Sequence, residues 1–392
     1  MKILMFSAFE LPDSCANATR ALNFAKLLKN LGNDVDSLGI CYSSENHLCG
    51  KYDGVEYEMV RAMPFYGIKS YKRVKKLQIE ITSFLNKKSI DGPYDVIILS
   101  NVYYDFSKLF VSYAKKFGSK LVVNSVEWYE KDNVQFDGLL GKVNYIKNRI
   151  ALKKIHVKMG NIIAISSLLE EYYKARGCNT VRIPTIIDTK EYDAVSSTER
   201  KYNQKLHIAY AGNPGRKDYV INALYALDLL NEHERERVCF DFYGPTTEQL
   251  VAGGLSEEFL EKHRSQILCH GRIPYVEVKR RIAEADFTVL LRPNLRYANA
   301  GFPTKVGESM ACGTPVICNL TSDLGKYVLD GKTGVVCKNE TPEGCADALR
   351  RALSLTTEER AAMSRACLEM SDAAFDFSVY GNAVDGFLKR LI

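Results

Sequence analysis

The run from Arg292 to Asn319, RPNLRYANAGFPTKVGESMACGTPVICN, gathers residue types suited to holding a phosphorylated ligand. A strand pattern, DFTVLL, leads into a loop containing Asn299, Gly301 and Pro303, and Thr304 then opens a short helix with Lys305 and Glu308 in its first turns. A helix start leaves N–H groups unpaired and carries partial positive charge, so with an adjacent cation it suits an anion such as phosphate. Glu308, one turn further, suits vicinal hydroxyls, each charge-assisted hydrogen bond contributing about 1.5–3 kcal/mol. A first-turn glutamate that merely complements the helix dipole would have the same sequence.

A second constellation, AYAGNPGRKDYVINAL from Ala209 to Leu224, ends a strand in a loop with Gly212, Asn213, Pro214 and Gly215, followed by Arg216, Lys217 and Asp218. Glycines let the backbone approach a ligand closely, and the two cations suit a diphosphate. No GxGxxG follows the first strand and no GxxxxGK[ST] occurs, which argues against dehydrogenases and P-loop enzymes. The six histidines show neither HxH nor HExxH spacing, so the expectation is no metal site.

These residues need a scaffold, and the 392-residue chain has room for two or three domains. Short β-rich runs alternate with helical patterns: KILMF, DVDSL, VEYEMV, DVIIL, KLVVN and NIIAI, then LHIAYA, VCFDFY, QILCH, DFTVLL, TPVICN and GVVCK. That alternation predicts βαβ units around parallel sheets, hence an α/β protein with two Rossmann-like domains. The expected division is an N-terminal domain over 1–187, a polar linker over 188–204, a C-terminal domain over 205–370, and a last helical segment, 371–392, crossing back onto the first domain. Open α/β sheets bind ligands beyond the carboxyl ends of their strands, so the cleft between two such domains is the expected site.

Hydrophobic residues at 46% and charged residues at 26% exclude disorder and coiled coil. Eleven scattered cysteines without a CxxC pair point to reduced thiols, and the N-terminal apolar run is too short for a signal peptide, so a cytoplasmic protein is expected. Of the net +6, residues 1–185 hold 27 Lys+Arg against 18 Asp+Glu, or +9, and the rest hold 26 against 29, or −3. The asymmetry suggests a polyanionic partner for the first half. In GIKSYKRVKKLQIEITSFLNKK, Ile68, Tyr71, Val74, Leu77, Ile81 and Leu85 share a helical face ringed by lysines, which suits either an anionic membrane surface or packing on the domain core. The second basic segment is GKVNYIKNRIALKKIHVKMG. No nucleic-acid recognition motif accompanies the charge.

In order and spacing, GNPGRKD, HGRIPYVEV, ADFTVLLRP and GFPTKVGESMACGTPVI resemble the C-terminal domain of GT-B fold retaining glycosyltransferases of family 4, with IIAISSLLEEYY and RIPTIID in the expected places of the first half. The resemblance implies two Rossmann-like domains facing across a cleft and transfer of a sugar from a nucleotide-sugar, UDP- or GDP-linked, to a glycan or polyprenyl-diphosphate-linked acceptor in bacterial-type surface polysaccharide assembly. It implies neither cofactor nor essential metal. Lys217 and Arg216 would contact the donor diphosphate and Glu308 the ribose. Gly301, Phe302 and Pro303 would line the sugar and phosphate pocket and Arg272 and Ile273 would frame the nucleobase, with Gly212, Asn213, Arg292, Thr304 and Lys305 completing the donor site.

The sequence departs from that pattern at two places. The family usually carries a glutamate eight residues before Glu308, where this chain has Ala300. The alternative of a non-catalytic sugar-nucleotide-binding subunit follows from that substitution, whereas an epimerase would need acid/base groups that the sequence does not identify. The loop after the first strand, SAFELPDSCANATR, lacks the usual glycine pair, and Cys15, Ala16 and Asn17 are expected there instead, with Arg20 on the helix behind facing the diphosphate. Glu127, in SVEWYEKDN, stands where many relatives have histidine and is expected to hold a sugar hydroxyl or orient the acceptor. Trp128 beside it suits either sugar stacking or a core anchor.

Overall fold

In a computed structural model, the chain is described for residues 1–392 except 13, 43–47, 63–69, 101, 131–137, 198–201, 204, 216 and 392, and without the side chains of 70–73 and 138–140. Contacts divide it into two units, Met1–Ile187 with Phe377–Ile392, and Asp188–Asp376.

The sheet of the first unit comprises β1 (Lys2–Ser7), β2 (Asp34–Cys41), β3 (Cys49–Tyr52), β4 (Val55–Arg61), β5 (Val96–Ser100), β6 (Lys120–Ser125), β7 (Asn161–Ala164) and β8 (Asn179–Arg182), in the order β3-β4-β2-β1-β5-β6-β7-β8. All neighbours are parallel except β3 and β4. A parallel sheet is covered on both faces, which is why β5, VIILS, is buried along its whole length. One face takes the Ala16–Asn30 helix, through Ala21, Phe24, Leu27 and Leu28, together with the Gly381–Lys389 helix through Val384, Phe387 and Leu388. The other takes the Ser70–Lys88 and Tyr104–Phe117 helices.

This packing answers one question left by the sequence. Leu77, Ile81 and Leu85 of the basic Ser70–Lys88 helix are each at most 2% exposed and lie in the core. The apolar stripe of Leu77, Ile81 and Leu85 is therefore already covered by the sheet, while Lys75 and Lys76 face outward together with Ile79, which is 63% exposed. Ile68 lies outside the described residues, as does the side chain of Tyr71.

The second unit contains β9 (Leu206–Ala211), β10 (Val238–Tyr243), β11 (Ile267–Gly271), β12 (Phe287–Leu290), β13 (Val316–Asn319) and β14 (Gly334–Cys337), all parallel in the order β11-β10-β9-β12-β13-β14. Ile208, Tyr210, Phe240, Phe242, Phe287 and Val289 share one face and form its core with the Pro342–Ser354 helix. That helix has Thr341 as its N-cap, Pro342 in its first turn, and Ala346, Leu349 and Leu353 buried.

Part of the stretch expected as a linker, 188–204, is structured within this unit. Asp188 caps the turn Thr189–Tyr192, Asp376 accepts from the Thr189 amide and hydroxyl, and Lys279 pairs with Glu191 at 2.8 Å. The polar composition that reads as linker supplies the partners of these bonds. Two edge strands, β3 and β8, carry no sequence signal because CGKY and NTVR offer neither an apolar run nor a clean alternation.

Candidate functional site

At the carboxyl ends of β9, β10 and β11 the chain turns through glycines in the left-handed region: Gly212 at φ 113°, Gly244 at 126° and Gly271 at 64°. A Cβ on Gly244 would lie 2.7 Å from the Gly212 carbonyl oxygen, so only glycine fits. The Gly212 amide donates to Tyr243 O and the Gly244 amide to Gly271 O, which stitches the three strand ends into one ledge. Gly212 belongs to the expected donor loop, whereas Gly244 was missed. Its signal is the repetition of a strand ending in glycine: YAG, FYG and CHG.

Beyond the ledge, Asp218 is the hub. The Tyr219 amide ties its loop to Leu291 O at the end of β12, and the Asp218 side chain is 4% exposed. Lys305 Nζ reaches one carboxylate oxygen at 2.5 Å and Arg292 Nε the other at 2.9 Å, while the Tyr210 hydroxyl donates at 2.9 Å. Burial alone would raise the Asp218 carboxyl, but the two cations outweigh it and hold it below the ordinary carboxylate range. Two cations against one carboxylate leave the cluster one positive charge in excess. Arg292 is pinned further, since its amide and carbonyl exchange hydrogen bonds with the Asn319 side chain.

Glu308 stands one turn into the Thr304–Ala311 helix and accepts a 3.0 Å hydrogen bond from Tyr275, whose hydroxyl also lies 3.1 Å from that of Tyr192. Burial raises the Glu308 carboxyl above its usual value. Burial and the Glu308 charge push the Tyr275 phenol well above its own, so Tyr275 stays a donor. Lys279 lies over both tyrosine rings, at 4.3 Å from Tyr192 and 4.9 Å from Tyr275. Lys305 and Glu308 line a common cavity of about 20 Å³, water-sized, with Tyr210, Ala211 and Leu290. Sequence reasoning missed Asp218 as a hub, Tyr275, Tyr192 and Asn319. Asp218 and Tyr275 stood inside the quoted motifs without a role.

The remaining expectations for this unit divide. Lys217 sits half-buried immediately before Asp218, and the Asn213 side chain accepts from the Gly215 amide at 3.0 Å, shaping the loop. Arg216 lies outside the described residues. Arg272 is exposed and Ile273 packs with Ala209, Tyr243 and Ala285. Thr304 begins the helix, Pro303 precedes it as N-cap, and Gly301 follows the Arg296–Ala300 helix. Phe302 requires correction: its ring is 6% exposed and meets Tyr327 and Phe375 at 5.4 and 5.8 Å, so it anchors the loop in an aromatic cluster and does not line a sugar pocket. Ala300 is fully buried. Asn299 braces the same loop by accepting from the Ser322 amide and donating to Asn294 and Leu295.

The first unit gives a different picture. Cys15 is the N-cap of the Ala16–Asn30 helix and makes no side-chain cap bond; Ala16 is exposed and Asn17 half-buried. Arg20 does not face a diphosphate. It is 2% exposed, donates to the carbonyls of Ile183 and Pro184, lies 5.0 Å from the Phe24 ring, and is drawn by burial down to about 9. The carbonyls lie in the RIPTIID segment, so Arg20 fastens that segment to the helix. Glu127 is half-buried and its charge contributes to raising the phenols of Tyr103 and Tyr129, in both cases after burial. Trp128 is 4% exposed and packs edge-on against Tyr172 at 4.8 Å, which makes it a core anchor. Ser166 caps the Ser167–Lys174 helix.

Comparison with known proteins finds similarity to glycosyltransferases. A family model described as Glycosyl transferases group 1 matches residues 193–369, inside the second unit. The chain is 20% identical over 210 residues to a protein named uncharacterized glycosyltransferase MJ1069 of Methanocaldococcus jannaschii, a match covering 52% of this chain and 51% of the other, so it spans about half the length of that relative. Among solved structures it is similar to Anabaena Alr3699/HepE in complex with UDP and glucose, at 16% identity and TM-score 0.69 with both chains fully covered. It is likewise similar to WaaG, a glycosyltransferase involved in lipopolysaccharide biosynthesis, at 15% identity, TM-score 0.65 and 99% coverage of each chain. The chain has the GT-B fold of these structures, and its residues 193–369 match the group 1 glycosyltransferase model.

Proposed function

We propose that the protein transfers a sugar, with retention of anomeric configuration and without an essential metal, from a UDP- or GDP-sugar to a glycan or polyprenyl-diphosphate-linked acceptor in surface-polysaccharide assembly. The observation that carries this reading is the cationic cluster of Lys305, Arg292 and Asp218 beside Glu308, inside the region matching the family model. HepE binding UDP and glucose and WaaG acting in lipopolysaccharide biosynthesis support the donor and the pathway class.

In the proposed reaction the bond between the anomeric carbon and the diphosphate oxygen breaks, the acceptor hydroxyl bonds to that carbon from the same face, and its proton passes to the departing diphosphate. Lys217, Lys305 and the amides opening the Thr304–Ala311 helix receive the growing negative charge. Glu308 accepts from the ribose hydroxyls, with Tyr275 fixing its orientation. Asp218 keeps Lys305 and Arg292 in place, so they meet the leaving group without reorganising. Glu127 orients the acceptor hydroxyl.

Acceptor access at an anionic membrane surface rests on the Gly138–Ile150 helix. Its Val143, Ile146 and Ile150 are 42, 55 and 36% exposed along one face, flanked by Lys142 and Lys147. Among the described residues no helix is long and apolar enough to cross a membrane. Co-sedimentation with vesicles containing an anionic lipid should exceed that with neutral vesicles and fall in Ile146→Asp; equal, negligible binding to both removes this part.

A thermal-shift panel of UDP-, GDP-, ADP- and CMP-sugars tests the donor, since a ligand at 100 times its Kd stabilises by about 2.7 kcal/mol. Transfer should persist in EDTA, and Lys217→Ala or Glu308→Ala should each reduce turnover by about 100-fold or more. Full activity in both variants overturns the site. An isolated chain that binds the donor but neither hydrolyses nor transfers it is the sugar-nucleotide-binding subunit suggested by Ala300.

A further inference from the structure

On β9 and β10 the side chains alternate between two faces. Ile208, Tyr210, Phe240 and Phe242 enter the core, whereas His207, Cys239 and Asp241 occupy the opposite face, and the register sets Cys239 directly beside His207. His207 Nδ1 lies 3.1 Å from Asp241 Oδ2, and one ligand atom each from His207, Cys239 and Asp241 falls within 4.8 Å of the others. His270, on β11, reaches the second carboxylate oxygen through Nε2 at 2.9 Å and stacks on Tyr243 at 4.7 Å. The Cys239 and Asp241 residues are buried, at 2 and 8% exposure, while the His207 side chain is 42% exposed, so the cluster is rooted in the sheet and open on one side.

We propose that His207, Cys239 and Asp241 form a binding site for a zinc-class divalent ion, with His270 holding the free oxygen of Asp241. One imidazole nitrogen, one sulfur and one carboxylate oxygen from adjacent strands make the mixed donor set that zinc accepts, with a fourth position left for solvent on the exposed side. A histidine on the outer carboxylate oxygen is the kind of supporting partner that orients a metal-binding carboxylate. Binding replaces the His207–Asp241 hydrogen bond with two metal bonds, moves the His207 Nδ1 proton to Nε2 or, from a charged imidazole, to solvent, and releases the Cys239 thiol proton to solvent. His207 lies near the start of β9, five residues and about 16 Å at 3.3 Å per residue before Gly212 in the turn that follows the strand, which separates this ion from the proposed sugar transfer and makes its role structural. The sequence hid the site because its members are 32, 2 and 29 residues apart along the chain and only the parallel register aligns them.

The test is titration of the chelator-stripped, reduced full chain with Co2+ and then Zn2+. One Co2+ should bind with a sulfur-to-cobalt charge-transfer band that zinc abolishes. Cys239→Ser should lose the band, His207→Ala should weaken binding at least tenfold, His270→Ala should weaken it about 10- to 100-fold with the band intact, and Cys49→Ser, in the other unit, should change nothing. If Cys239→Ser fails to fold, Asp241→Asn serves in its place and should also lose stoichiometric binding. Absence of stoichiometric binding by the unaltered chain, or an unchanged affinity in both His207→Ala and Asp241→Asn, overturns the proposal.

Discussion

The two units use similar parallel sheets to opposite electrostatic ends. In the first, the candidate cation Arg20 is walled in by carbonyls and the Phe24 ring, and burial lowers its pKa to about 9. In the second, Lys305 and Arg292 share Asp218, and the Lys305 side chain stays 31% exposed. A buried guanidinium with carbonyl partners fastens segments together. A cation balanced by half of a carboxylate retains field to offer a ligand. The histidines repeat the contrast: His156 is buried and drawn down to about 4, while His207 is raised by its hydrogen bond to Asp241 despite partial burial.

The contrast is most directly broken at Asp218. Asp218→Ala leaves the largely buried Arg292 and the partly exposed Lys305 without their partner and should destabilise the second unit by about 3–5 kcal/mol in denaturant melts. Loss below about 1 kcal/mol would show that the cluster is not electrostatically bound. Arg20→Ala should cost about 2–4 kcal/mol through orphaned carbonyls and lost packing, with an unchanged donor KM in the folded fraction. A raised KM at unchanged stability would return Arg20 to the diphosphate.

Next in size are the two histidines, whose linkage has opposite signs. His156 resists protonation in the folded state, so its contribution is complete above about pH 6.5 and is lost as pH falls toward 4, up to about 3 kcal/mol. His207 gains its proton more readily when folded, so its contribution is complete below about 6.5 and is lost as pH rises through its elevated value. Stability profiles of His156→Gln and His207→Gln against the unaltered metal-free chain should diverge from it on opposite limbs; divergence on the same limb breaks the comparison. Smallest is Tyr275→Phe, which removes one hydrogen bond to Glu308 and should weaken donor binding about tenfold, seen as a raised donor KM with little change in kcat.

Local signals carried further in the second unit than in the first because its chemistry is written in short spacings. Asn213, Lys217 and Asp218 share one loop, and Thr304, Lys305 and Glu308 share the first turns of one helix. Side-chain direction was less legible: Phe302 turned into an aromatic cluster and Arg20 into the domain interior, because each is decided by what packs against it from distant parts of the chain. The Ser70–Lys88 helix illustrates the same limit, since an amphipathic stripe suits a sheet as well as a lipid surface.

The sequence by itself determined the α/β class, the twelve strands with clear apolar or alternating patterns, and the residue types of the candidate donor site, because period and composition are properties of neighbouring residues. Tertiary structure alone decided that Asp218 sits between Lys305 and Arg292, that Tyr275 addresses Glu308, and that His207, Cys239 and Asp241 meet. Those contacts depend on strand register and helix packing, which bring together residues that no local spacing connects.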